Sequence, residues 1–117
     1  YAYEKAAEWV EKDREFEKRA GFTLIATLAV NDKKTGNEVF EAFLPIIKQK
    51  SVDKRNYVKK AVNWALRQIG KRNRYLNVAA LKTAEEIKSL NTKSARWIAN
   101  DAIRELVSEK IQAKLKE

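Results

Sequence analysis

Neither cysteine nor histidine occurs in the 117 residues. The first absence removes disulfides, thiolate nucleophiles and sulfur-bound metals; the second removes the commonest metal ligand and the usual acid–base group of neutral pH. Any chemistry must then run on carboxylates, lysines or aromatic rings, and neither cofactor nor metal is expected. Glycine occurs 3 times and proline once, so helix breakers are as scarce as an all-α chain requires. The longest apolar stretch, Gly21 to Val30, is interrupted by Thr23 and Thr27. It is too short and too polar for a helical membrane span, and no charged-then-apolar leader is present. A soluble, cytoplasmic protein without membrane contact is the expectation. Methionine is missing too, and Tyr1 opens the chain.

What the sequence does contain is a repeat. Phe16, Tyr57 and Ile98 fall in register at a spacing of 41 residues, as do Ala20, Ala61 and Ala102, and then Leu24, Ala65 and Leu106. Periods of roughly 40 to 47 residues belong to HEAT and armadillo units, whose paired helices bury their apolar faces by stacking on the next pair. The pattern predicts an all-α fold of about six HEAT-like helices wound as a right-handed superhelix. With 44% hydrophobic residues, one shared core and one domain over 1–117 are expected. An array that opens in mid-helix leaves its first apolar face uncovered, so further repeats are expected before Tyr1, making this the C-terminal part of a longer array.

Breakers and caps divide the chain. Helices are predicted from about Tyr1 to Lys12, Arg14 to Val30, Asn37 to Gln49 with Pro45 inside, Lys54 to Lys71, and Tyr75 to Leu90. A sixth opens at Asn91-Thr92-Lys93-Ser94 and, meeting no glycine or proline, runs on to the C-terminus.

The net charge of +9 is concentrated informatively. On the fourth helix, Tyr57, Val58, Ala61, Val62, Ala65, Leu66 and Ile69 gather on one side at 100° per residue and form the predicted core face. Lys60, Trp64, Arg67 and Lys71, at i, i+4, i+7 and i+11, form a stripe away from it. Three cations around an indole suit a polyanion with flat faces, the cations neutralising phosphates while the ring meets a sugar or base. The same spacing equally describes a solvated basic face with a tryptophan filling a seam between repeats. The 41-residue register adds Arg19 to the stripe through Lys60, and places Asp101 and Glu105 opposite Lys60 and Trp64 in the third unit, where the anion-binding face is expected to stop. Lys71, Arg72 and Arg74 stand where they complement the negative end of the fourth helix dipole.

The run from Asn56 to Asn73, NYVKKAVNWALRQIGKRN, resembles the signature of the DNA alkylation repair family, glycosylases built from HEAT-like repeats. Phe16-Glu17-Lys18-Arg19-Ala20-Gly21 and the segment from Ala95 to Ala102 fit the flanking repeats of that family. The resemblance implies excision of 3- and 7-alkylated purines from duplex DNA held in a concave groove, by a monomer without metal. It implies that Trp64 packs against the DNA backbone at the lesion and that Arg19 lies in the groove. The family's catalytic carboxylate lies on a helix with a Trp-Asp-x-x-Asp-like motif, which falls upstream of Tyr1. Trp9 and Asp13 have a similar i, i+4 spacing, but Trp9 matches the start of a later repeat, so Trp9 reads as packing and Asp13 as a helix cap. Stabilising the oxocarbenium-like sugar formed as a cationic purine departs demands such a carboxylate beside aromatic walls. Trp64 can supply a wall.

Two other function classes remain open on this sequence. One is a DNA-structure binder of the same family without catalysis; the other is a HEAT-repeat scaffold for an acidic protein partner, with Tyr57, Trp64 and Trp97 in its core or groove.

Overall fold

The computed structural model of the chain describes residues 1–115, and among them it is all-helical. Seven helices follow one another: α1 (Ala2–Trp9), α2 (Glu15–Asn31), α3 (Asn37–Lys50), α4 (Asn56–Gly70), α5 (Arg74–Lys88), α6 (Lys93–Leu106) and α7 (Glu109–Lys114). The count exceeds the expected six because the last helix is divided at Val107-Ser108. Ser108 Oγ donates to Glu105 O at 2.7 Å and accepts from Ile111 N at 3.4 Å, so one hydroxyl ends α6 and caps α7 without any glycine or proline. The predicted continuation into Lys116 and Glu117 lies outside the described residues.

Side chains near the boundaries explain the other breaks. Asn73 Oδ1 caps α5 by accepting from Leu76 N at 2.9 Å, and Thr92 Oγ1 caps α6 by accepting from Ala95 N at 3.1 Å. Between them Asn91 has φ +60°, the left-handed conformation that asparagine tolerates at helix ends. Asp53 Oδ1 accepts from Arg55 N at 3.0 Å just ahead of α4. The predicted cap at Asp13 is not formed: α2 begins without a side-chain cap, and the Asp13 carbonyl instead accepts from Arg55 Nη1 at 2.7 Å.

The helices form a slab whose Cα extents are 38 × 34 × 18 Å, two helix layers thick. Helices α2, α4 and α6 lie side by side, with α4 in the middle. Helix α1 packs on α2, and α3 and α5 pack on each other and under α4. The core between the layers holds Phe22, Phe40, Ile47, Leu66, Ile87 and Leu106, all fully buried, each contributing about 1.5–3 kcal/mol by leaving water. At Gly21 the layers meet so closely that a Cβ would lie 2.7 Å from the Val10 backbone nitrogen.

The repeat is less regular than its sequence signature. Glu15, Asn56 and Lys93 open the three helices of one layer, 41 and then 37 residues apart. The second unit is shorter because α4 has 15 residues where α2 has 17, and because three residues join α4 to α5 where five join α2 to α3. The third register therefore slips by one helical turn. Ile98 is fully buried, whereas Tyr57 is 58% exposed and Phe16 75% exposed, so Tyr57 is not the core residue that the periodicity of α4 predicts. The other six predicted core residues of α4 are all buried.

Candidate nucleic-acid interface

With neighbours on both flanks and a layer beneath, α4 keeps one free face, and the predicted stripe lies on it. The stripe is divided into two unlike halves. In its N-terminal half Lys60 is exposed and makes no ion pair among the described residues. Arg19 reaches across from α2, its guanidinium carbon 5.2 Å from the centroid of the Tyr57 ring, a cation–π contact that leaves its N–H edge to solvent. Arg19, Tyr57 and Lys60 thus form one exposed cluster on two helices.

Trp64 stands at the centre, partly buried, with part of its ring packed against the core. With the Gln68 amide assigned so that its oxygen faces the available donors, that oxygen accepts from Trp64 Nε1 at 3.1 Å and from Lys71 Nζ at 3.2 Å. The indole is held at both ends, by apolar packing and by a hydrogen bond one turn along, and one side of it remains open.

In the C-terminal half the cations are neutralised. Arg67 Nη1 donates to Glu105 Oε1 at 2.9 Å, Arg67 Nε donates to Asn63 Oδ1 at 2.8 Å, and Lys71 Nζ donates to Glu105 Oε2 at 2.9 Å. Asp101 adds a carboxylate oxygen 3.7 Å from Arg67 Nε. Burial pushes the Glu105 carboxyl up, but the hydrogen bonds from Arg67 and Lys71 outweigh it and hold the group below the ordinary carboxylate range. Arg67 and Lys71 are therefore neutralised by carboxylates, whereas among the described residues Arg19 and Lys60 meet none. The 41-residue register sets Asp101 and Glu105 beside Lys60 and Trp64; the actual 37-residue offset moves them one turn along, into reach of Arg67 and Lys71. Complementary pairs at i, i+4 on neighbouring helices were the sequence signal for this pairing.

Of the residues at the end of α4, Arg72 serves another helix altogether. Its Nη1 donates to the carbonyls of Ala29 at 2.9 Å and Asp32 at 2.6 Å, and its Nη2 to that of Thr35 at 2.9 Å, so it closes the C-terminus of α2. Its Nε is buried without a partner. Trp9 is partly buried at the α1–α2 contact, as a packing residue would be, and Asp13 is exposed.

The family model described as DNA alkylation repair enzyme matches residues 2–106, which takes in all of α1 to α6. The chain belongs to the DNA alkylation repair enzyme family. The role of that family is DNA repair, so DNA is the partner against which this member's exposed cluster is to be read. No curated protein and no solved structure matches the chain. Among the described residues of this family member, no helix is long and apolar enough to cross a membrane.

Proposed function

We propose that this chain binds duplex DNA across the free face of α2 and α4 and takes part in the excision of 3- and 7-alkylated purines. Arg19 and Lys60 contact phosphates, Trp64 presses on the backbone beside the lesion, and Arg67 and Lys71 hold that side of the site in shape. They reach phosphate only by giving up Glu105. The observation that carries the reading is the cluster of exposed, unneutralised Arg19 and Lys60 with the half-open indole of Trp64, on a chain of a DNA repair family.

The chemistry of excision asks for a carboxylate near the departing base. The two carboxylates that α6 brings to the stripe, Asp101 and Glu105, are occupied by cations of the protein itself. Neither therefore serves as the catalytic carboxylate, and the chain acts as a monomeric DNA-contacting part. The occupied carboxylates also favour a second reading, a binder of damaged DNA that does not cut. Incubation with methylated duplex, followed by chromatography of released bases, tests this: binding without release is expected, and release of 7-methylguanine by this chain alone would show that one of its own carboxylates acts. The Trp64→Ala variant tests the site itself. A tryptophan wholly in the core costs about 3–5 kcal/mol on truncation; here a smaller loss is expected together with clearly weaker lesion-duplex affinity. Large destabilisation with unaltered affinity of the folded fraction would make Trp64 a core residue and remove it from the site.

A further inference from the structure

At the N-terminal edge of α6, away from the α4 stripe, is an open cleft of about 430 Å³ lined by Lys54, Lys59, Thr92, Lys93 and Ser94. Three ammonium groups share it, and among the described residues no carboxylate lines it. Such like charges repel one another unless an anion lies between them. The first-turn amides of α6 add to the positive potential at this edge, but the three lysines distinguish the cleft from the other helix ends.

Beside the cleft, Lys59 Nζ lies 5.0 Å from the centroid of the Trp97 ring, and Trp97 is 40% exposed. This contact repeats the one between Arg19 and Tyr57 at 5.2 Å. In both pairs the cation precedes its ring by 38 residues and spans from one helix of the layer to the next. Cation and open aromatic face thus alternate across α2, α4 and α6, near the starts of the helices. Two helix spacings amount to roughly 20 Å, the rise of about six base pairs along one DNA strand.

We propose that a duplex backbone crosses the N-terminal edges of all three helices, and that the cleft of Lys54, Lys59 and Lys93 holds one of its phosphates, with Trp97 against the adjoining sugar. The inference rests on the DNA-binding reading above and extends the contact into the third repeat, which the acidic pair Asp101 and Glu105 argues against when α6 is judged by its C-terminal half alone.

The test is fluorescence anisotropy of a labelled duplex at several salt concentrations. It uses the full chain, a Lys54→Ala/Lys93→Ala variant, and a Lys82→Ala/Lys88→Ala variant that loses the same charge from α5. All four positions are exposed, so thermal midpoints should agree; if the first pair lowers the midpoint, Lys54→Gln/Lys93→Gln replaces it. Loss of the one phosphate held in the cleft should flatten the log–log salt slope by about one in the Lys54/Lys93 variant and leave the slope of the Lys82/Lys88 variant close to the parent value. Trp97→Ala should weaken binding severalfold without changing the slope. Equal slopes for the two double variants, with salt-dependent binding by the parent, overturn the crossing at α6 while the contact at α2 and α4 stands. Loss of duplex binding by the parent overturns both. If duplex slopes agree but only the Lys54/Lys93 variant loses inorganic phosphate binding by calorimetry, the cleft takes the free ion and the DNA assignment fails.

Discussion

Replacing Arg72 by alanine should be among the most damaging changes outside the core, although the residue lies on a turn. The last carbonyls of α2 have no amides within their own helix, and the Arg72 guanidinium meets three acceptors there, on Ala29, Asp32 and Thr35. The same group sits 4.0 Å above the Phe40 ring centroid. Hydrogen bonds involving a charged group contribute about 1.5–3 kcal/mol each and a cation–π contact about 0.5–2 kcal/mol. Simple addition overstates the loss, because water reaches the loop carbonyls once the side chain is gone; about 3 kcal/mol is a realistic figure. At this chain length that corresponds to a fall in thermal midpoint on the order of 10 °C, measured by circular dichroism. Arg72→Lys should fall between, since an ammonium stays over the ring but cannot span three divergent acceptors. A midpoint within about 2 °C of the parent for Arg72→Ala would refute the idea that this residue fastens α2 to the α4–α5 turn.

Two further outcomes follow from packing and from charge. Ala61 is 6% exposed on α4, and Ala61→Leu should overpack the contact between neighbouring helices at a cost of about 1–3 kcal/mol; an unchanged midpoint would show that the seam has room. The second concerns acid. Hydrogen bonds from Thr35 and then Tyr3 hold the Asp32 carboxyl far below its ordinary value, a hydrogen bond from Arg55 lowers that of Asp53, and that of Glu105 is lowered as described above. Groups depressed in the folded state contribute stability in full above the ordinary carboxylate pKa of about 4 and lose it as pH falls through the folded value. The thermal midpoint should drop steadily below about pH 4, and Asp32→Asn should flatten that descent. Parallel acid limbs for the two proteins would show that Asp32 contributes nothing to it.

Much of the fold was legible because helix breakers and caps stand where the chain turns. Gly70, Asn73, Thr92 and Asn91 mark boundaries through local chemistry, and the apolar face of α4 follows from its own period. What was not legible depended on how one element meets another. Helix α4 is two residues shorter than α2, and the loop after it two residues shorter, which together shift the third unit by a turn, and no residue type announces that shift. It takes Ile98 out of register with the exposed Phe16 and Tyr57, and it moves Asp101 and Glu105 away from Lys60. Arg72 reads from sequence as a C-terminal cation of its own helix; only the approach of α2 makes it the closing group of another. The end of α6 at Ser108 rests on a hydroxyl that competes for Glu105 O, a signal weaker than glycine or proline. The candidate site was readable as a row of cations around Trp64, but not which of them were free, because neutralisation depends on the neighbouring helix.

On the proposed function, the free face of α2 and α4 meets DNA through unneutralised cations. The measurement closest to it is the salt dependence of duplex affinity for the parent and for Lys60→Ala. Each phosphate contact contributes about −0.9 to the log–log slope. Arg19 and Lys60 alone give about −2, and the phosphate in the cleft of Lys54, Lys59 and Lys93 takes it to about −3. Lys60→Ala should flatten the parent slope by about one unit at an unchanged thermal midpoint. A parent slope near zero, or a Lys60→Ala slope equal to that of the parent, would contradict the account.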